Sequence, residues 1–140
     1  MSYDWINTIP NYLKYFDEEQ RAIIEIIGMK NYLKLYEYFS KTRVYFSNNM
    51  NPDQEMILSL IGENNYNKLS HYFSKSGIYI SSKSINTLKR VYVNQNRHID
   101  YAEAARILNV SVKSIYNWRQ SPVFRKKVIS PNNYNLFEEE

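Results

Sequence analysis

No cysteine occurs anywhere in the chain, so disulfides and thiolate metal sites are excluded. Glycine is scarce, with three in 140 residues, and proline is limited to four. Each of these residues therefore marks a place where the backbone does something specific. No apolar run is long enough to span a bilayer, and the N-terminus lacks a basic-then-apolar leader, so the expected location is the cytoplasm. Clustered carboxylates, a phosphate loop and a nucleophile motif are also missing. His71 and His98 stand far apart. Neither an enzyme nor a cofactor is expected.

What is abundant is Asn, Lys, Ile and Tyr, the bias of an AT-rich genome, and the fourteen tyrosines are read first in that light. Charge is unevenly spread. Residues 83–127 hold ten Lys/Arg against Asp100 and Glu103, a balance of +8, while residues 1–82 sum to −1 and Glu138-Glu139-Glu140 add −3. A localised positive field is the electrostatic footprint of a polyanion-binding surface.

The chain also repeats itself. "IGMKNYLKLYEYFSKTRVYFS" (27–47) matches "IGENNYNKLSHYFSKSGIYIS" (61–81) at an offset of 34, with identities that include Ile27/Ile61, Gly28/Gly62, Asn31/Asn65, Tyr32/Tyr66 and Leu35/Leu69. Each copy reads as helix, Gly break, helix and short strand, the strands being "RVYFS" and "GIYIS". Asp17-Glu18-Glu19-Gln20 and Asn51-Pro52-Asp53-Gln54 are helix starts with caps and dipole-matched acids. Gly28 and Gly62 should end the first helices in a left-handed conformation. The two strands could pair with each other or across two chains. Residues 17–82 are expected to form the dimerisation half, since two-fold association is the commonest solution for such a chain.

The basic third answers a different pattern. Ser84 should cap a helix from Ile85 to about Arg97, and Asp100 one from Tyr101 to Leu108. Asn109 should turn the chain, Ser111 should cap a last helix over Val112–Gln120, and Ser121-Pro122 should stop it. Ala104, Ala105, Leu108, Val110, Ile115 and Trp118 fall where a helix-turn-helix keeps its interior. At 100° per residue, Ser111, Ile115 and Trp118 share the inner side. Lys113, Tyr116, Asn117 and Gln120 lie opposite, with Ser114 beside them. Lys can donate to guanine, and Asn or Gln can pair with adenine, while Tyr116 could meet a thymine methyl or a phosphate. Arg119 is placed on the flank, and Arg119, Lys89, Arg90 and Arg97 are read as phosphate contacts.

The repeat followed by this motif resembles the Mor-type transcription activators of phages and prophages, over roughly residues 20–120. In that family an Ile-Gly…Phe-Gly-Gly…Tyr phrase precedes a basic helix and a C-terminal helix-turn-helix. Here Ser40-Lys41 and Ser74-Lys75 stand where the Gly-Gly pair would be. The resemblance implies a homodimer that binds double-stranded DNA at a dyad-symmetric promoter element and recruits RNA polymerase. A DNA-packaging or recombination accessory protein of the small-terminase kind is the other reading of the same motif.

The expectation is thus a mainly α protein with a small β element. It has an N-terminal arm (1–16), the duplicated helix-strand half (17–82), a DNA-binding domain (83–122) and a tail (123–140). In the tail Arg125-Lys126-Lys127 could brush phosphate, Leu136-Phe137 could offer a polymerase contact, and the whole reads as a mobile end.

Overall fold

A computed structural model describes residues 2–120, so the Ser121-Pro122 stop and the 123–140 tail lie outside the described residues. Among the described residues the protein is mainly helical with one two-stranded antiparallel sheet. In chain order the elements are α1 (Glu18–Ile27), α2 (Met29–Phe39), β1 (Thr42–Val44), α3 (Pro52–Ile61), α4 (Glu63–Tyr72), β2 (Ile78–Ile80), α5 (Lys83–Gln95), α6 (Tyr101–Leu108) and α7 (Val112–Gln120). Two short 3-10 turns, Asp4–Thr8 and Tyr12–Tyr15, precede them. They form two compact units. One is residues 13–84, and the other joins residues 2–12 to 85–120.

In the first unit the helix starts are local chemistry. Asp17 accepts the Gln20 N–H at 3.0 Å. The Asn51 side chain accepts the Gln54 backbone N–H at 2.8 Å while the Gln54 side-chain Oε1 accepts the Asn51 backbone N–H at 3.2 Å, a reciprocal box closed behind Pro52. Gly28 and Gly62 end α1 and α3 with φ of +86° and +89°, as expected in sign. Their ψ values of 156° and 163° are extended rather than left-handed helical, a region that essentially only glycine occupies. The reason is that one residue both ends a helix and starts the next. The Gly28 N–H donates to Ile24 O and its carbonyl accepts from Tyr32 N–H, and Gly62 does the same with Leu58 and Tyr66. Asn31 and Asn65 each donate to the carbonyl left open at the preceding helix end, Ile27 O at 2.9 Å and Ile61 O at 3.0 Å.

α1 packs on α2 and α4, and α3 packs on α4 and α2. The buried positions correspond at the 34-residue offset: Ile23/Ile57, Ile27/Ile61, Tyr32/Tyr66, Leu35/Leu69 and Phe39/Phe73. The sheet follows the same rule. Val44 pairs with Ile78, also 34 residues apart, with Thr42 opposite Ile80 and Arg43 opposite Tyr79. The strands thus pair within the chain. β1 is shorter than the sequence pattern suggests, and Tyr45–Ser47 fall outside it.

β2 is finished by side chains of α1. The Tyr79 N–H donates to Glu19 at 3.1 Å, and Gln20 donates to Tyr79 O at 2.6 Å. Gln20 also accepts the Tyr32 hydroxyl at 2.5 Å and the Ser81 N–H at 3.3 Å, although it is fully buried. Burial first, and the Asp17 charge second, push the Tyr32 hydroxyl above the usual tyrosine range, which keeps it a donor.

Lys41 enters β1 at φ +67°, where a residue with a Cβ is strained. Lys41→Gly should therefore raise stability by up to about 1 kcal/mol, the conformational relief exceeding the added freedom of the unfolded chain. A chemical denaturation midpoint that falls instead would place the side chain in a stabilising contact.

In the second unit the N-terminal segment is packed and not a free arm. Trp5, Ile6 and Ile9 are buried, and the Trp5 ring meets Tyr92 edge-on at 5.8 Å. An indole this large supplies more burial than a solvent-exposed arm would retain. α5 begins two residues before the expected start. Ser84 is an internal, buried helical residue, and Ser81 accepts the Lys83 N–H at 3.0 Å.

Candidate nucleic-acid interface

α6 and α7 are joined by Asn109-Val110-Ser111 alone. Asp100 caps α6 through the Glu103 N–H at 2.7 Å. At its other end Asn109 is left-handed, with φ 57° and ψ 52°. Its N–H reaches Arg106 O, and the Val110 N–H reaches back to Ala105 O at 3.0 Å. That pair of bonds is the six-to-one and five-to-two closure usually built on glycine. Ser111 then accepts the Ser114 N–H at 3.1 Å and starts α7. Ala104, Ala105, Leu108 and Ile115 are buried, so the small residues of α6 let α7 approach closely.

The two faces of α7 differ sharply. Lys113, Tyr116, Asn117 and Gln120 are exposed, while Ile115 and Arg119, four residues apart, point inward. Ser114 is half-buried, and its hydroxyl accepts from Ser111. The inner side is therefore turned from the one expected. Ser111 is exposed and Trp118 is only half-buried.

Arg119 takes the inner place for an identifiable reason. One guanidinium nitrogen donates to Ile99 O at 2.6 Å and Asn96 O at 3.2 Å, and the group lies over the Tyr101 ring at 4.9 Å. It thus satisfies carbonyls of the turn between α5 and α6. At 6% exposure Arg119 is not the phosphate contact that its flank position suggested.

Arg97 is exposed, and it donates to Asn94 Oδ1 at 2.6 Å and to Arg119 O at 3.1 Å. Asn94 in turn donates to Trp118 O at 3.4 Å. A cation and an amide thus cap the C-terminal end of α7, where the helix dipole favours positive charge. Arg90 is exposed, whereas Lys89 is half-buried, and that burial lowers its pKa below the ordinary lysine value.

Two residues of this region escaped the sequence reading. Asn94 with Arg97 could have been seen as an i, i+3 pair. Tyr101 gave no signal, because its partners, Tyr116 and Arg119, lie on another helix. His71 and His98 are exposed, and no cluster of metal-ligating side chains exists among the described residues. No described helix is long and apolar enough to cross a membrane.

No protein-family model, curated protein or solved structure matches the chain.

Proposed function

We propose that the protein is a sequence-specific double-stranded-DNA-binding regulator of transcription, in which α6, the 109–111 turn and α7 act as a helix-turn-helix. The observation that carries this reading is the outward face of α7. Lys113, Tyr116, Asn117 and Gln120 are exposed together on a helix anchored through Ile115 and Arg119. A rod of this kind fits the major groove, where Lys can donate to guanine and Asn or Gln can pair with adenine. Arg90 and the free edge of the Arg97 side chain are the phosphate contacts in this reading.

Residues 17–82 act here as a scaffold of two copies of one helix-helix-strand unit about a local two-fold axis. Support comes from the direct pairing of Val44 with Ile78 and from the matching caps and buried positions. In the proposed homodimer, two copies of α7 would lie about 34 Å apart or a multiple of it. Because β1 and β2 close on each other, the dimer contact lies elsewhere than in their shared ladder. Recruitment of polymerase, as in the Mor-type activators that the sequence resembles, completes the proposal.

Selection from a random duplex library tests it. A palindromic consensus is the expected result. Absence of salt-dependent retention of any duplex would end the DNA reading. On the selected site, Lys113→Ala and Asn117→Ala should each cost about 1–3 kcal/mol and relax preference at one base position. Equal loss on all sequences would reassign that side chain to the backbone.

A further inference from the structure

A second aromatic lies beside the exposed face of α7, and the fold holds both rings in place. Tyr101 is the first residue of α6 and is 37% exposed, and Tyr116 on α7 is 51% exposed. Their ring centroids are 6.1 Å apart at 77°, an edge-on contact. Beneath Tyr101 sits the Arg119 guanidinium, 4.9 Å from the ring centroid and pinned by Asn96 O and Ile99 O. The three side chains form a stack, from a buried cation through a half-exposed ring to an outward ring. Arg119 and Tyr116 are three apart on α7, and Tyr101 is inserted between them from α6.

We infer that Tyr101 and Tyr116 form an aromatic ledge that receives a thymine methyl group in the major groove, with Arg119 as the positioning residue beneath it. This rests on the DNA reading above. Tyr116 lies on the same helix as Lys113 and Asn117, with Tyr101 against it from α6, so a base read by those residues brings its neighbour to the rings. The thymine C5-methyl is the apolar group that the major groove offers. Large rings left on the surface and fixed by edge-on and cation contacts lose little freedom on binding.

The test uses the full chain and a duplex selected as above, with each thymine replaced in turn by uracil, which removes the methyl alone. At one position the wild-type protein should lose about fourfold in affinity, the value of one buried methyl group. Tyr116→Ser and Tyr101→Leu should each abolish that penalty, with thermal melts close to wild type. Tyr116→Phe should keep it, whereas a hydroxyl-to-phosphate contact would be lost in that variant without any change at uracil. Arg119→Lys keeps the charge but not the two-carbonyl grip. It should blunt the uracil penalty and leave the salt slope unchanged. In Arg119→Gln, which removes the charge, a slope that falls by about one would instead return Arg119 to the phosphates. Uracil tolerated at every position while the wild type binds its site overturns the ledge alone. A wild type that binds no duplex overturns the DNA reading and the ledge with it.

Discussion

Replacing Gln20 by leucine is expected to remove about 3–5 kcal/mol of folding stability from the unit of residues 13–84. The side chain is fully buried and serves three groups: the Tyr32 hydroxyl, the Tyr79 carbonyl and the Ser81 N–H. Leucine serves none of them. Tyr32 is itself fully buried, so its hydroxyl cannot turn to water. Each buried orphan costs about 1–3 kcal/mol, and a domain of this size has about 5–15 kcal/mol in total. Gln54→Leu is the comparison. Gln54 also bonds a tyrosine, Tyr66, but its other partners, Ser47 and Asn51, are exposed and water can replace it there. Its cost should be smaller, about 1–2 kcal/mol. The double variant Gln20→Leu with Tyr32→Phe should recover about 1–2 kcal/mol, since the hydroxyl orphan is removed with its partner. Urea denaturation of the wild type, Gln20→Leu, Tyr32→Phe, the double variant and Gln54→Leu decides it. Strict additivity of the two changes would mean that Gln20 acts by filling space and not through its hydrogen bonds.

The features legible in the sequence are those whose cause lies within four residues. Asp17, Asn51, Asp100 and Ser111 cap the helices they were expected to cap, because a cap needs only the N–H two or three positions on. Asn109 adopts the left-handed turn for a similarly local reason. The position of the strands was legible too, since alternation needs few residues.

What escaped depends on chain brought from afar. Gln20 acts on Tyr79 and Ser81, about sixty positions away, so nothing near Gln20 announces it. Trp5 finds Tyr92, and an isolated aromatic near a terminus cannot reveal that partner. Arg119 shows how a helical wheel misleads. The wheel gives angle alone; it put the arginine on the flank, and its charge then assigned it to phosphate. The carbonyls of Asn96 and Ile99 overrule that assignment, because they give the guanidinium charge-assisted hydrogen bonds in place of water while its apolar stem is buried. The same rotation leaves Trp118 only half-buried, so its truncation should cost less than that of a core indole.

The correspondence at the 34-residue offset ties these observations together. In the antiparallel pair, residues matched by that offset face each other at Val44 and Ile78. Around that point the two stretches differ. Glu19 reaches the Tyr79 N–H, but its counterpart by offset, Asp53, is one methylene shorter. Gln54 bonds Ser47 where Gln20 bonds Tyr79. Gly77, which leads into β2, also has no glycine counterpart, since Arg43 stands at the matching place before β1's Val44.

Gly77→Ala is accordingly expected to be among the most damaging single-methyl changes in the chain. Its φ is +69°, and a Cβ built there would overlap the Val44 carbonyl oxygen and stand 3.1 Å from the Tyr45 Cα. The Tyr45 ring could swing away, but both backbone atoms belong to β1 or the residue that follows it. Moving them pulls Val44 away from Ile78, where the two strands pair. The left-handed conformation costs about 1–2 kcal/mol, and overpacking against backbone adds about 1–3 kcal/mol, for a total of about 2–5 kcal/mol. Gly28→Ala separates the two causes. Gly28 also has positive φ, at +86°, yet nothing lies within 4 Å of its added Cβ. Its cost should be the conformational part alone, about 1–3 kcal/mol. Hydrogen exchange then reads the mechanism. Gly77→Ala should deprotect the amides of residues 42–44 and 78–80 more than those of α1–α4, whereas Gly28→Ala should loosen the start of α2 first. Equal protection of the strand amides in both variants would show that the close approach of Gly77 to β1 does not hold the sheet together.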